Sequence, residues 1–182
     1  MKTLRLLLAL GALAAGSALR AANPPAPPVD VTYVNPDKFT DVKDSYFVND
    51  KVRDEYLDEL KQHFQAQAKD YVPAGWHLAL RVTDVDMAGD FEPWRGPQYD
   101  DIRIVKDVYP PRMKFEFTLT NAAGKVVKEG QRSITNLSFL NEINIYFPDD
   151  QLRYEKALID DWYRQEFGSA KKLAEADNSP GT

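Results

Sequence analysis

Two stretches of strict two-residue alternation limit this chain more than any other feature. Trp76, Leu78, Leu80 and Val82 alternate with His77, Ala79, Arg81 and Thr83, and Met113, Phe115, Phe117 and Leu119 alternate with Lys114, Glu116, Thr118 and Thr120. Successive side chains of a strand point to opposite faces, so each stretch reads as a strand with one apolar and one wetted face. A sheet of this kind needs a second layer on one side only.

The covering layer is also legible. Val52, Tyr56, Leu60, Phe64 and Ala68 recur every four residues with Leu57 beside them, which is the stripe of an amphipathic helix. Asn49 or Asp50 opens that helix as a cap, and Pro73-Ala74-Gly75 stops it. Leu152, Ile159, Trp162 and Tyr163, with Ala157, Leu158 and Phe167, form the apolar side of a last helix that opens at Pro148-Asp149-Asp150 and ends at Gly168. Val29 to Asn35 is a first strand. Asn121-Ala122-Ala123-Gly124-Lys125 turns a hairpin, and Val126 to Ile134 returns from it with Gly130 as a bulge. Ile102 to Val105 allows a short strand inside a long segment, and residues 136–147 stay ambiguous. The expected fold is α+β in the order β-α-β-β-β-α. It is one mostly antiparallel sheet of about four strands with two helices on one face, the first strand entering by a parallel crossover.

Domain limits follow from composition shifts. Lys2 and Arg5 precede the apolar run Leu6 to Ala15, and small residues follow, so residues 1–22 read as a secretory leader cleaved near 18–22. Residues 23–28 are a Pro-rich linker, 29–168 one domain, and 169–182 a polar, frayed tail. The expected location is therefore periplasmic or secreted, with no membrane insertion after cleavage. The chain has no cysteine, which removes disulfides, thiol nucleophiles, thiolate zinc sites and iron–sulfur clusters. Its formal net charge of -5 gives no basic footprint for nucleic acid. No metal centre, cofactor motif or catalytic signature stands in the sequence, and no catalytic residue is assigned.

Several segments rich in Pro, Trp, Gly and Asp keep a fixed order. They are Val31 to Asp41, Phe91-Glu92-Pro93-Trp94-Arg95-Gly96-Pro97-Gln98-Tyr99-Asp100-Asp101, Val108-Tyr109-Pro110-Pro111-Arg112, and Leu152-Arg153-Tyr154-Glu155-Lys156. On these the chain resembles an uncharacterised exported bacterial family, domain of unknown function 3016. The resemblance implies an exported single-domain protein and brings no activity or ligand. The order of elements also resembles small envelope lipoprotein and scaffold domains, which mostly bind other proteins.

The unusual chemistry lies in residues 87–112. Trp94 beside Arg95, between Pro93 and Pro97, suits an aromatic anchor at an interface. The opposing account has Phe91 and Trp94 capping the core while Arg95 pairs with Asp100 or Asp101. The leading expectation is a non-enzymatic interaction or binding module with an envelope protein as partner. Its candidate contacts are Asp90, Glu92, Trp94, Arg95, Tyr99, Asp100 and Asp101. The alternative is a small-ligand or cation binder in which Asp90, Glu92, Asp100 and Asp101 supply oxygens. A hydrolase is the third reading. Of the histidines, His63 falls at the edge of the helix stripe, where a hydrogen bond to a neighbour is expected, and His77 on a wetted strand face.

Overall fold

The computed structural model describes residues 28–47 and 49–178. The leader and nearly all of the linker anticipated from the sequence lie outside them. In chain order the elements are β1 (Val29–Tyr33), α1 (Asp50–Tyr71), β2 (His77–Asp86), β3 (Asp90–Phe91), β4 (Arg103–Ile104), β5 (Arg112–Thr120), β6 (Val126–Thr135), α2 (Arg153–Phe167) and α3 (Ala170–Asn178). The main sheet runs β1-β2-β5-β6, and β3 pairs with β4 apart from it. β1 lies parallel to β2, while β2–β5 and β5–β6 are antiparallel. The sheet is thus mixed, with the single parallel pair where the β1-α1-β2 crossover puts it.

The core is the layer that the alternation demanded. Leu78, Leu80 and Val82 of β2 and Met113, Phe115, Phe117 and Leu119 of β5 are buried against Leu57, Leu60, Phe64 and Ala68 of α1 and Leu158, Ile159, Trp162, Tyr163 and Phe167 of α2. Each Val, Leu, Ile, Met or Phe among them contributes about 1.5–3 kcal/mol on leaving water. Trp162 is the centre of an edge-on aromatic group, with ring centroids 4.8 Å from Phe115, 5.7 Å from Phe117 and 6.2 Å from Phe64. The Tyr163 hydroxyl donates to the Phe64 carbonyl at 2.9 Å and ties the two helices together. The opposite sheet face is wet and cross-paired: Arg81 meets Glu116 at 3.1 Å, and Lys114 meets Asp84 at 2.8 Å.

Three local expectations need correction. The irregularity expected at Gly130 lies elsewhere, because Gly130 pairs in register with Phe117. The register shifts fall between Val82 and Asp84 and between Leu119 and Thr120. The first of these is a bulge at Thr83. It reverses the phase of β2 so that Val85 turns inward after Val82, while Asp84 and Asp86 share the outer side. The last helix begins at Arg153 rather than at Pro148-Asp149-Asp150, since the Asp150 carboxylate accepts from the Leu152 amide at 2.9 Å and holds a turn ahead of the helix. The tail is helical from Ala170. Its helix-forming residues resume after the break at Gly168, and Leu173 packs against the core.

Candidate functional site

Strand register divides the molecule into two ends. The connections at residues 72–76 and 121–125 leave one end, and both are short. At the other end emerge three long ones, residues 34–49, 87–111 and 136–152. Long connections bring backbone groups that have no strand partner, and these must be satisfied by side chains.

Arg103 does this for two of the three segments. It forks onto Asp41, from Nη1 to Oδ2 at 2.7 Å and from Nη2 to Oδ1 at 3.1 Å, and also donates to the carbonyls of Lys43 at 2.7 Å and Gly89 at 3.0 Å. A planar guanidinium suits such a cluster because its donors are fixed in direction. Its carbon lies 4.7 Å from the centroid of Phe91, which is 2% exposed. Asp41 itself bridges to the end of β2: its amide donates to Val85 and its carbonyl accepts from Met87, both at 3.0 Å. Gly89 sits at φ 83°, and a β-carbon there would meet the Ile104 carbonyl and the Arg103 side chain at 3.0 Å. Only glycine lets the two short strands approach this closely.

Two glutamates are buried at the same end in opposite circumstances. Glu92 accepts from Lys106 at 2.5 Å, from the Tyr109 hydroxyl at 3.1 Å, and from Arg95. The Lys106 ammonium, with Arg95 and Tyr109 behind it, pulls the Glu92 carboxyl down to about 2. Glu155, in the first turn of α2, is 1% exposed and forms no ion pair among the described residues. Its Oε1 accepts the Ala88 amide at 2.7 Å, and its Oε2 has no hydrogen-bond partner. Burial pushes this carboxyl up to about 7.

The residues singled out from the sequence are thereby placed. Trp94 stands on a short 3-10 turn, Pro93–Arg95, and is 71% exposed. Phe91 is buried against Lys43 and Arg103, whereas Trp94 is not buried. Arg95 pairs with Glu92, three residues back on the same turn, instead of with Asp100 or Asp101, and its guanidinium carbon lies 5.9 Å from the Tyr99 ring centroid. Asp90 accepts its neighbour's amide, from Phe91, at 2.7 Å. Asp100 contributes its carbonyl, which accepts from the Tyr46 amide at 2.8 Å. Asp101 lines a cleft of about 260 Å³ with Asp44, Arg103 and Arg153. The four carboxylates of the cation-binding alternative do not converge. Among the described residues no three histidine or carboxylate side chains are grouped to hold a metal ion.

Residues 136–147, left ambiguous by the sequence, supply what its reading missed. Ile143, Ile145 and Phe147 alternate with Asn144 and Tyr146, so the pattern was visible. The structure turns it inside out. Asn144 donates to the Arg153 carbonyl at 3.0 Å, and the Tyr146 hydroxyl donates to Asp160 at 2.5 Å. Asp160 also holds His63 Nε2 at 2.7 Å, which gives that histidine the neighbour expected for it. The polar side chains therefore face the protein, and Ile143, at 96% exposure, leads the apolar ones outward. With Tyr146 and His63 both held by Asp160, this cluster fastens the segment to α1 and α2.

Of the eleven exposed large apolar side chains among the described residues, ten belong to the three long connections, and only Val126 lies at the hairpin end. Monomer surfaces carry scattered apolar residues; here they are concentrated at one end.

Fold and surface together define a two-layer α+β domain whose loop end holds, among the described residues, the three buried carboxylates and ten of the eleven exposed large apolar side chains. The chain belongs to the family described as protein of unknown function DUF3016, whose profile matches residues 27–165. No curated protein matches it in sequence. No helix among the described residues is long and apolar enough to cross a membrane.

Proposed function

We propose that the protein is an exported, non-enzymatic interaction module of the cell envelope, docking a protein partner through its loop end. The observation that carries this reading is the gathering of exposed apolar side chains there, with Trp94 as the largest. Rigid seating of these side chains supports it further. The Trp94 turn is held through Arg95 and Glu92, and Ile143, Ile145 and Phe147 stand on a segment pinned by Asn144 and Tyr146. Such a surface loses little freedom on binding. Export rests on the basic start, apolar run and small residues of positions 1–22.

A photo-reactive amino acid placed at position 94 or 145 should cross-link one and the same envelope protein, and at position 125 none. Trp94→Ala should abolish the cross-link formed from position 145 while leaving the melting temperature unchanged. Equal labelling from 94 and 125 would sink the reading. Mass spectrometry of the periplasmic protein should find a chain beginning between residues 19 and 23. A chain retaining Met1 in the cytoplasm would remove the export claim.

A further inference from the structure

Ala88, at the start of the 87–111 connection, is held from two sides by groups of opposite charge. Its amide donates to Glu155 Oε1 at 2.7 Å, and its carbonyl lies 3.5 Å from Arg103 Nη1. Glu155 is buried, and its Oε2 has no hydrogen-bond partner. The donors at this carboxyl are backbone amides, those of Ala88 and of Glu155 itself. They suit a neutral carboxyl group. A carboxylate away from water needs a cation as well.

Of the charges around it, Arg103 of β4 attracts an ionised Glu155, and Asp150, in the turn ahead of α2, repels it. Asp150 is held by Lys156 at 2.6 Å, and Lys156 also holds Glu59 of α1 at 2.5 Å. Arg153, two residues before Glu155, is directed elsewhere, onto the Pro148 carbonyl at 2.6 Å and the Tyr154 hydroxyl at 3.2 Å. From residues 34–49 come Asp41, which Arg103 holds by both oxygens, and Lys43, 3.8 Å from Asp41. Two buried carboxylates, Asp41 and Glu155, thus lie within the influence of one guanidinium. Arg103 can turn to Glu155 only by giving up Asp41.

We propose that Glu155 and Asp41 compete for Arg103, so that the proton on Glu155 latches residues 87–105 to residues 34–49. With the proton in place, Arg103 forks onto Asp41 and holds the Lys43 and Gly89 carbonyls. When the proton leaves to solvent, the buried anion draws the guanidinium toward α2, and those two carbonyls are released. Burial, which pushes the Glu155 carboxyl up to about 7, sets the direction: the latch is closed in mild acid and opens as pH rises through neutrality. Phe91, whose ring centroid is 4.7 Å from the Arg103 carbon, follows the guanidinium. The latch lies beneath the loop-end surface, and its test requires no partner.

The experiment is a pH titration of the ¹³C,¹⁵N-labelled protein, followed by carboxyl- and carbonyl-detected NMR. The Glu155 side-chain carbon should titrate with a midpoint of about 7. The Asp41 side-chain carbon and the Lys43 and Gly89 carbonyl carbons should move along the same curve. The Lys43 carbonyl is held by Arg103 and not by Glu155, so a carboxyl that is merely buried would not move it. Hydrogen exchange at residues 89–105, corrected for the intrinsic rate, should speed up at least about tenfold between pH 6 and pH 8. Glu155→Gln keeps an acceptor for the Ala88 amide and stays neutral. It should abolish both effects, while the signals of His63 and His77, residues that ordinarily titrate in the same window, continue to move. The proposal is overturned if Glu155 titrates below about pH 5.5, within reach of an ordinary carboxylate. It is equally overturned if Glu155 titrates while the Lys43 carbonyl stays still, or if Glu155→Gln keeps the pH-dependent exchange.

Discussion

The two ends of the sheet solve opposite problems. At the hairpin end the strands connect through short turns, and the hydrogen bonds are closed locally, with the Asn121 side chain accepting from the Ala123 and Lys125 amides. Asn121 and Lys125 pair across the turn, and Gly124 takes φ 77°. At the loop end three long segments converge, and the three buried charged residues, Asp41, Glu92 and Glu155, all lie there. Two of these carboxylates serve loop backbone: Glu155 accepts the Ala88 amide, and Asp41 holds the Arg103 guanidinium that donates to the Lys43 and Gly89 carbonyls. Long connections thus draw charge inward at this end.

Breaking the largest element of this contrast gives the largest effect. Arg103→Met should destabilise the protein by about 3–5 kcal/mol, because Asp41 stays buried with only the longer Lys43 contact, at 3.8 Å, to offset its charge. Chemical denaturation measures the loss, and hydrogen exchange should place it in residues 87–105. A change below about 1 kcal/mol would mean that Arg103 is not what holds the loop end.

The second test uses the pair of glutamates. Glu155 is raised in the folded protein, so in the folded state it keeps its proton where the unfolded chain has lost it. Its contribution is full below about pH 4.5 and falls as pH rises through about 7. Glu155→Gln should therefore gain on the wild type by about 3 kcal/mol between pH 4 and pH 8. Glu92 is lowered, so its contribution is full above about pH 4.5 and is lost as pH falls toward about 2. Glu92→Gln should flatten the acid limb of a pH–stability curve and leave the neutral limb alone. A neutral limb unchanged by Glu155→Gln would show that residue to be ionised at no penalty.

Smaller effects sharpen the contrast. Gly124→Ala at the hairpin end should cost about 1–2 kcal/mol through its positive φ alone, a third or so of the Arg103 effect. Trp94→Ala and Ile145→Ala should each change stability by less than about 0.5 kcal/mol, as exposed side chains do. A larger loss on Trp94→Ala would mean that this ring packs after all.

The sequence carried the layered half of the molecule and not the loop end, for physical reasons. Alternation in β2 and β5 and the stripe of α1 are local signals of burial, and they place the sheet, its helices and the parallel crossover. Arg103 and Asp41 are 62 residues apart, and His63 and Asp160 are 97 apart. Neither pairing leaves a local trace. The exposure of Trp94 was undecidable because the same Pro-bounded aromatic suits a cap or an anchor. Arg95 finding Glu92 depends on the tight turn at Pro93, which brings residues three apart together. Ile143, Ile145 and Phe147 carried a true alternation whose direction only the anchors of Asn144 and Tyr146 fix.

The place of Trp162 has a consequence in time. Phe64, Phe115 and Phe117 come from elements that precede residue 121, but the ring that joins them arrives in the second-last helix. A chain delivered amino terminus first carries an aromatic sheet face covered only by α1 until residues 153–167 emerge. During that interval the nascent protein is a substrate for any chaperone that shields apolar strands, and a truncation short of α2 would leave the interval permanently open.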